Sequence, residues 1–157
     1  MGGECWAAVS GHAGEDEGVS QRMLYGAEHV RRYVETGGDE GYIWRRGTTI
    51  LILTTTGRVS GKERSTALIF AENDGRYLVV ASNGGDDEHP GWFKNLRERP
   101  DVTVQVKGDR FPARARAANP DERARLWPQM AEIWPDYNTY QKRTEREIPI
   151  VILERAA

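Results

Sequence analysis

At 157 residues, 38% apolar and 29% charged, the chain has the size and composition of a single soluble globular domain, which excludes a disordered or membrane-embedded protein. A net charge of −2 offers no bulk attraction to nucleic acid, so any anion recognition has to be local. The one cysteine, Cys5, excludes an internal disulfide and any multi-cysteine zinc or iron–sulfur site, and suits a reducing cytoplasm.

Residues 1–19 carry five glycines and the acidic cluster Glu15-Asp16-Glu17 without periodicity, and read as a flexible lead-in to one domain over residues 20–157. Signal-peptide regions are missing, Trp6 breaks the myristoylation pattern, and no apolar run reaches membrane-spanning length. Peripheral contact is the one membrane association left open, and the expected state is a monomer or homodimer.

From Ser20, a helix-capping residue, Met23, Ala27, Val30 and Val34 recur at helical spacing until Gly37-Gly38 ends the run. Tyr42-Ile43-Trp44 and Arg45-Arg46-Gly47 lead into a first strand over residues 48–54. A polar loop follows, then a second strand around Ala67-Leu68-Ile69-Phe70, a tight turn at Asp74-Gly75, and a third strand over residues 77–82. A second polar loop, residues 83–90, enters a short helix with Pro90 in its first turn and Trp92, Phe93 and Leu96 to bury. Val102, Val104 and Val106 alternate with polar residues, as do Phe111, Ala113, Ala115 and Ala117, which predicts a half-buried hairpin. Asn119-Pro120-Asp121-Glu122 has the cap, proline and acidic residues of a helix start. Pro128 is expected to kink that helix or open a second segment, and Pro135 to interrupt it again. The last strand, residues 148–153, contains Pro149 and is expected at an edge or bulge. The order predicts an α+β protein whose antiparallel sheet curls or closes to hide its edges.

The polar loop between the first two strands, Thr54 to Arg64, combines hydroxyls, two glycines and three cations. Such a loop suits a phosphate or carboxylate, although an ordinary solvated hairpin has the same composition. A nucleotide-binding Walker loop is excluded, since three residues rather than four separate Gly57 from Gly61, Glu63 follows Lys62, and a strand follows instead of a helix. The scattered His12, His29 and His89 offer no metal-ligand spacing and read as surface residues. No nucleophile elbow is present. What remains is cofactor binding, with five tryptophans and six tyrosines as flat apolar walls, or as ordinary core.

Four blocks in register narrow this further: Thr55 to Arg64, Ala81 to Gly85, His89 to Leu96, and Trp134-Pro135-Asp136-Tyr137 through Ile148-Pro149-Ile150-Val151. Together they resemble the deazaflavin-dependent nitroreductase family over about the last two-thirds of the chain. The resemblance implies coenzyme F420 and a split β-barrel of the pyridoxamine-phosphate-oxidase type. It implies that Arg58, Ser60, Gly61 and Arg64, with Lys62 beside them, hold the cofactor's phosphate and carboxylate tail. Ala81, Ser82 and Asn83 would line the deazaflavin ring, with Trp92 and Asn95 near it. Trp134, Tyr137 and Tyr140 would face the acceptor, and Ser82, Tyr137 and foremost Tyr140 would stabilise its charge or deliver a proton.

This chain departs from the family pattern twice. Val59 stands where the family often has lysine, which leaves Lys62 and Arg64 as the cations to compensate, and Trp134 replaces the first of three tyrosines, which should alter substrate choice. The implied reaction passes a hydride from reduced deazaflavin C5 to a small-molecule quinone, nitro compound or activated enone. The competing readings are an FMN-dependent oxidoreductase of the same shape and a cofactor-binding protein without turnover.

Overall fold

A computed structural model describes residues 24–156. Seven strands, β1 (Ile50–Thr56), β2 (Glu63–Ile69), β3 (Ala71–Asn73), β4 (Arg76–Val80), β5 (Asp101–Val106), β6 (Asp109–Ala117) and β7 (Ile150–Arg155), form one antiparallel sheet in the order β2-β1-β5-β6-β7-β4-β3. The helices are α1 (Gly26–Thr36), α2 (Gly91–Glu98), α3 (Pro120–Ile133) and α4 (Asp136–Lys142).

Why the sheet curls is legible in its core strands. Alternate side chains of β1, β4 and β7 enter two different apolar clusters, so these strands are buried on both faces. Ile50, Ile52, Leu78, Val80, Ile150 and Ile152 face an outer cluster with Trp44 and residues of α1, α3 and α4. Leu51, Leu53, Val79, Val151 and Leu153 face an inner cluster with Val102, Val104, Phe111, Ala113 and Ala115, where α2 contributes Trp92, Phe93 and Leu96. An aromatic seam, Phe70 to Tyr77 at 5.7 Å and Tyr77 to Phe111 at 5.6 Å, runs across the inner curl. The result is the split β-barrel that the resemblance implies.

Several local expectations are met. Asp74 and Gly75 both have positive φ, as the tight β3–β4 turn requires. Asn119 and Glu122 form a reciprocal capping box, Asn119 Oδ1 accepting from the Glu122 N–H and Glu122 Oε1 from the Asn119 N–H.

Others are corrected. Ser20 and Met23 lie outside the described residues, as does the lead-in over residues 1–19. The buried side of α1 is His29 and Tyr33, while Ala27 and Val34 face solvent. A tyrosine and a histidine are buried there because each finds partners: the Tyr33 hydroxyl donates to the Ile50 carbonyl at 2.8 Å and accepts from the Lys107 N–H at 2.7 Å, and His29 Nε2 lies 2.9 Å from the Gly41 carbonyl. His29 is therefore not a surface residue; His89 is half-buried, and His12 lies outside the described residues. α3 runs through the exposed Pro128 as one helix, and the break comes at Pro135. β7 is a central strand between β6 and β4, because it begins after Pro149, where a missing N–H costs no ladder bond.

Candidate active site

The loop after β1 is a closed turn. Its Gly57 N–H donates to the Lys62 carbonyl at 2.7 Å, and the Gly61 N–H donates to the Gly57 carbonyl at 2.9 Å. A Cβ on Gly57 would sit 2.7 Å from the Ser60 hydroxyl and 3.2 Å from the Lys62 carbonyl oxygen, so a side chain here would displace the Ser60 hydroxyl from the turn. The Lys62 N–H donates to Ser60 Oγ at 3.1 Å. These amides are therefore consumed within the loop, and what it offers a ligand is side-chain charge and hydroxyls more than an amide nest.

Asn95, on α2, organises the loop from beneath. Its buried Oδ1 accepts from the Arg58 N–H at 3.1 Å and from Arg58 Nη1 at 2.8 Å, while its Nδ2 donates to Thr55 Oγ1 at 3.2 Å. An outer groove of about 610 Å³ opens over this assembly, lined by Arg58, Val59, Ser60 and Arg64 from the loop and β2, and by Gly91, Trp92 and Asn95 from α2. Gly61 and Lys62 shape the turn but do not line the groove.

An inner pocket lies next to it and shares Trp92 as a wall. It collects Ser82 and Asn83 from the loop after β4, Trp134 from the α3–α4 break, Tyr137 and Tyr140 from α4, and Trp44, Leu68, Ile69 and Val80 from the core. Tyr137 and Tyr140 stand edge to face at 6.2 Å, and the Trp134 indole N–H donates to the Tyr140 hydroxyl at 3.5 Å. Asn83 takes a left-handed φ of 47°, which asparagine tolerates, and its Nδ2 donates to the Glu88 carbonyl at 3.0 Å. Its buried Oδ1 has no protein partner. A buried acceptor left open on a pocket wall is expensive unless a ligand donor completes it.

Of the residues expected at the ring, Ser82, Asn83 and Trp92 do converge. Ala81 does not: it packs in the inner core cluster, and its N–H donates to the Pro149 carbonyl at 2.9 Å. Asn95 belongs to the outer groove.

The sequence did not point to the core residues Trp44, Leu68, Ile69 and Val80 on the pocket wall, nor to Arg146. Trp44, four strands of sheet order away from the Ser82 loop, carried no motif. Arg146 is the clamp of that loop: Nη2 donates to the Ser82 carbonyl at 2.8 Å, Nε to the Asp86 carbonyl at 2.8 Å, and Nη1 lies 3.0 Å from His89 Nδ1. Burial, followed by the positive charge of Arg146, Arg97 and Lys94, pushes the His89 pKa down and keeps its ring a neutral acceptor for Arg146. No local pattern distinguishes Arg146 from the chain's other arginines.

Among the described residues, no cluster of three His, Cys, Asp or Glu side chains could hold a metal, and no helix is long and apolar enough to cross a membrane.

Comparison with known proteins agrees with this geometry. The sequence profile of the F420H(2)-dependent quinone reductase family matches residues 25–155. An F420H(2)-dependent quinone reductase of Mycobacterium tuberculosis is 39% identical over 130 residues, covering 81% of this chain and 87% of the relative. A solved F420-H2 dependent reductase is 42% identical, with a TM-score of 0.62 over 67% of this chain and 93% of its own. Another solved relative, described as a domain-swapped dimer, is 39% identical with a TM-score of 0.65, covering 81% and 95% of the two chains.

Proposed function

Since the chain belongs to the F420H(2)-dependent quinone reductase family, we propose that its outer groove and inner pocket form one continuous site for coenzyme F420 and a flat electron acceptor. The chain is an F420-dependent oxidoreductase. The observation that carries the site assignment is the shared wall: Trp92 borders both the cationic groove and the aromatic pocket, so one ligand can have its charged tail in the first and its ring in the second.

The residues fit the cofactor. Arg58, Ser60 and Arg64 suit the phosphate and carboxylates of its tail, and the unpartnered Asn83 Oδ1 suits the imide N–H of a deazaflavin ring. When bound and reduced, the cofactor supplies a hydride from C5 in a two-electron step. The chain's own part is positioning and electrostatics. Trp44, Leu68, Ile69 and Val80 exclude water from one side of the pocket, while Ser82, Tyr137 and Tyr140 provide hydroxyls to hydrogen-bond the negative charge that develops on an acceptor oxygen. A quinone suits this arrangement best; nitro compounds and activated enones present comparable oxygens.

The test is a titration with F420 and with FMN followed by fluorescence, then addition of 2-methyl-1,4-naphthoquinone to the reduced complex. Selective F420 binding and rapid reoxidation are expected. Selective FMN binding overturns the cofactor assignment, and binding without reoxidation makes the protein a carrier. Tyr140→Phe should slow acceptor reduction with cofactor affinity nearly intact, and Arg64→Ala should do the reverse.

A further inference from the structure

The Arg45-Arg46-Gly47 segment plays no part in the site as described, yet its turn reaches the inner pocket. Trp44 N–H donates to the Thr48 carbonyl at 2.8 Å, and Thr48 donates from its N–H at 3.1 Å and its hydroxyl at 2.8 Å to the Arg45 carbonyl. Arg46, within this closed turn, has φ 58°, a left-handed conformation that residues with long side chains adopt rarely and that its surroundings must enforce. The turn brings two side chains to one indole. The Trp44 ring lies 5.7 Å from the Trp134 ring, and the Arg46 guanidinium carbon lies 4.4 Å from the Trp134 ring centroid. Asp136, the first residue of α4, anchors Arg46 at 3.6 Å.

Trp134 sits where α3 has ended and α4 has not begun, with φ −145° and ψ 84°. The space left in the inner pocket is about 40 Å³. A water needs about 10–15 Å³ of such space, so the pocket takes a few waters and no flat ring system. A bicyclic quinone therefore enters only if the wall yields. Leu68, Ile69 and Val80 belong to strands of the sheet. The Trp134 backbone is also held, its N–H donating to the Met130 carbonyl at 3.1 Å and its carbonyl accepting from the Tyr137 N–H at 3.0 Å, so what can yield is its indole, restrained by Trp44, Arg46 and the Tyr140 hydroxyl.

Resting on the reading that the inner pocket takes the deazaflavin ring together with the acceptor stacked on it, we propose that Arg46 is a specificity-determining positioning residue. Together with Trp44 it holds the Trp134 indole in the pocket wall, and the strength of that hold sets how large an acceptor the pocket admits. The Arg46 guanidinium contributes through its position over the indole face, and the ion pair with Asp136 favours that position.

The experiment compares 2-methyl-1,4-naphthoquinone with its 3-prenyl derivative. Binding is read from tryptophan quenching without cofactor, and kcat/KM is read with reduced F420. Arg46→Gly suits the left-handed turn while removing the side chain; Arg46→Lys keeps the charge without the flat fork. Arg46→Gly should shift the preference toward the prenylated quinone by about threefold, the scale of an exposed cation–π contact. Arg46→Lys should shift it less, and Asp136→Asn in the same direction. An unchanged ratio in Arg46→Gly and Asp136→Asn, at unchanged melting temperature, overturns the proposal while normal turnover of the parent leaves the acceptor site standing. A parent protein that, loaded with reduced F420, reduces neither quinone overturns both.

Discussion

A Cβ placed on Gly85 would lie 2.8 Å from the carbonyl oxygen and 3.0 Å from the Cα of Tyr140, so the turn behind Ser82 and the helix carrying the tyrosines meet backbone to backbone. Gly85 also has φ 86°, which disfavours any side chain. Gly85→Ala should therefore push α4 away from the Ser82 loop. The expected cost is about 1–3 kcal/mol of stability. Because a misplacement of about 1 Å at a reacting centre costs on the order of 10²-fold in rate, kcat should fall far more than F420 affinity. Equal losses in both would mean that the contact serves the fold as a whole.

Asn95 connects the groove to the sheet, accepting from Arg58 and donating to Thr55. Removing it in Asn95→Ala frees the Arg58 guanidinium, and a lost hydrogen bond to a charged group implies about tenfold weaker F420 binding. Asn95→Asp separates geometry from charge, because it retains the acceptor yet neutralises Arg58. Titration should find it weaker as well; unaltered affinity would show that Arg58 is not a tail cation.

Val59 is 92% exposed on the wall of the groove. Val59→Lys adds a solvated cation there, which should tighten F420 binding by about two- to fivefold at low salt. The gain should fade as salt rises, and it should be absent for a deazaflavin riboside that lacks the phosphate and carboxylates. A gain with the riboside would place the lysine's effect on the ring instead.

His29 is buried with its Nδ1 unpartnered, and burial lowers its pKa despite the opposing hydrogen bond to Gly41. The unfolded chain therefore takes up a proton that the folded one refuses as pH falls below the ordinary histidine value of about 6.5. Stability is full above that pH and drains below it, at up to about 1.4 kcal/mol per pH unit. Denaturant titrations at pH 8, 6 and 5 should show this slope, and His29→Gln should reduce it, leaving the share of His89, whose pKa burial also lowers. An identical slope in the variant would assign the acid sensitivity to other groups.

Local signals carried much of this protein. Hydrophobic alternation located the hairpin of β5 and β6, Asn119 and Glu122 marked the start of α3, and Asp74-Gly75 marked a turn, because each depends on neighbours within a few residues. The motif blocks around Arg58, Ser82, Trp92 and Tyr137 were likewise legible, and they named the family. Side-chain direction was not. Ala81 and Ser82 are adjacent, yet one enters the core and the other a pocket, and Asn95 faces the loop after β1 and lines the groove, not the inner pocket, since burial is decided by what packs above each residue.

The chain alone thus determined the family, the antiparallel elements and most of the chemistry on offer. Only the tertiary structure decided that Trp44 and Trp134 share a wall, that Arg146 clamps the Ser82 loop across 64 residues of sequence, and that Gly85 must be bare for Tyr140 to approach. The physical reason is the range of the interactions. Capping, turns and periodicity act over one or two helical turns, whereas an arginine's fork or a packed indole is assigned its partner only when the curled sheet has brought distant segments into contact.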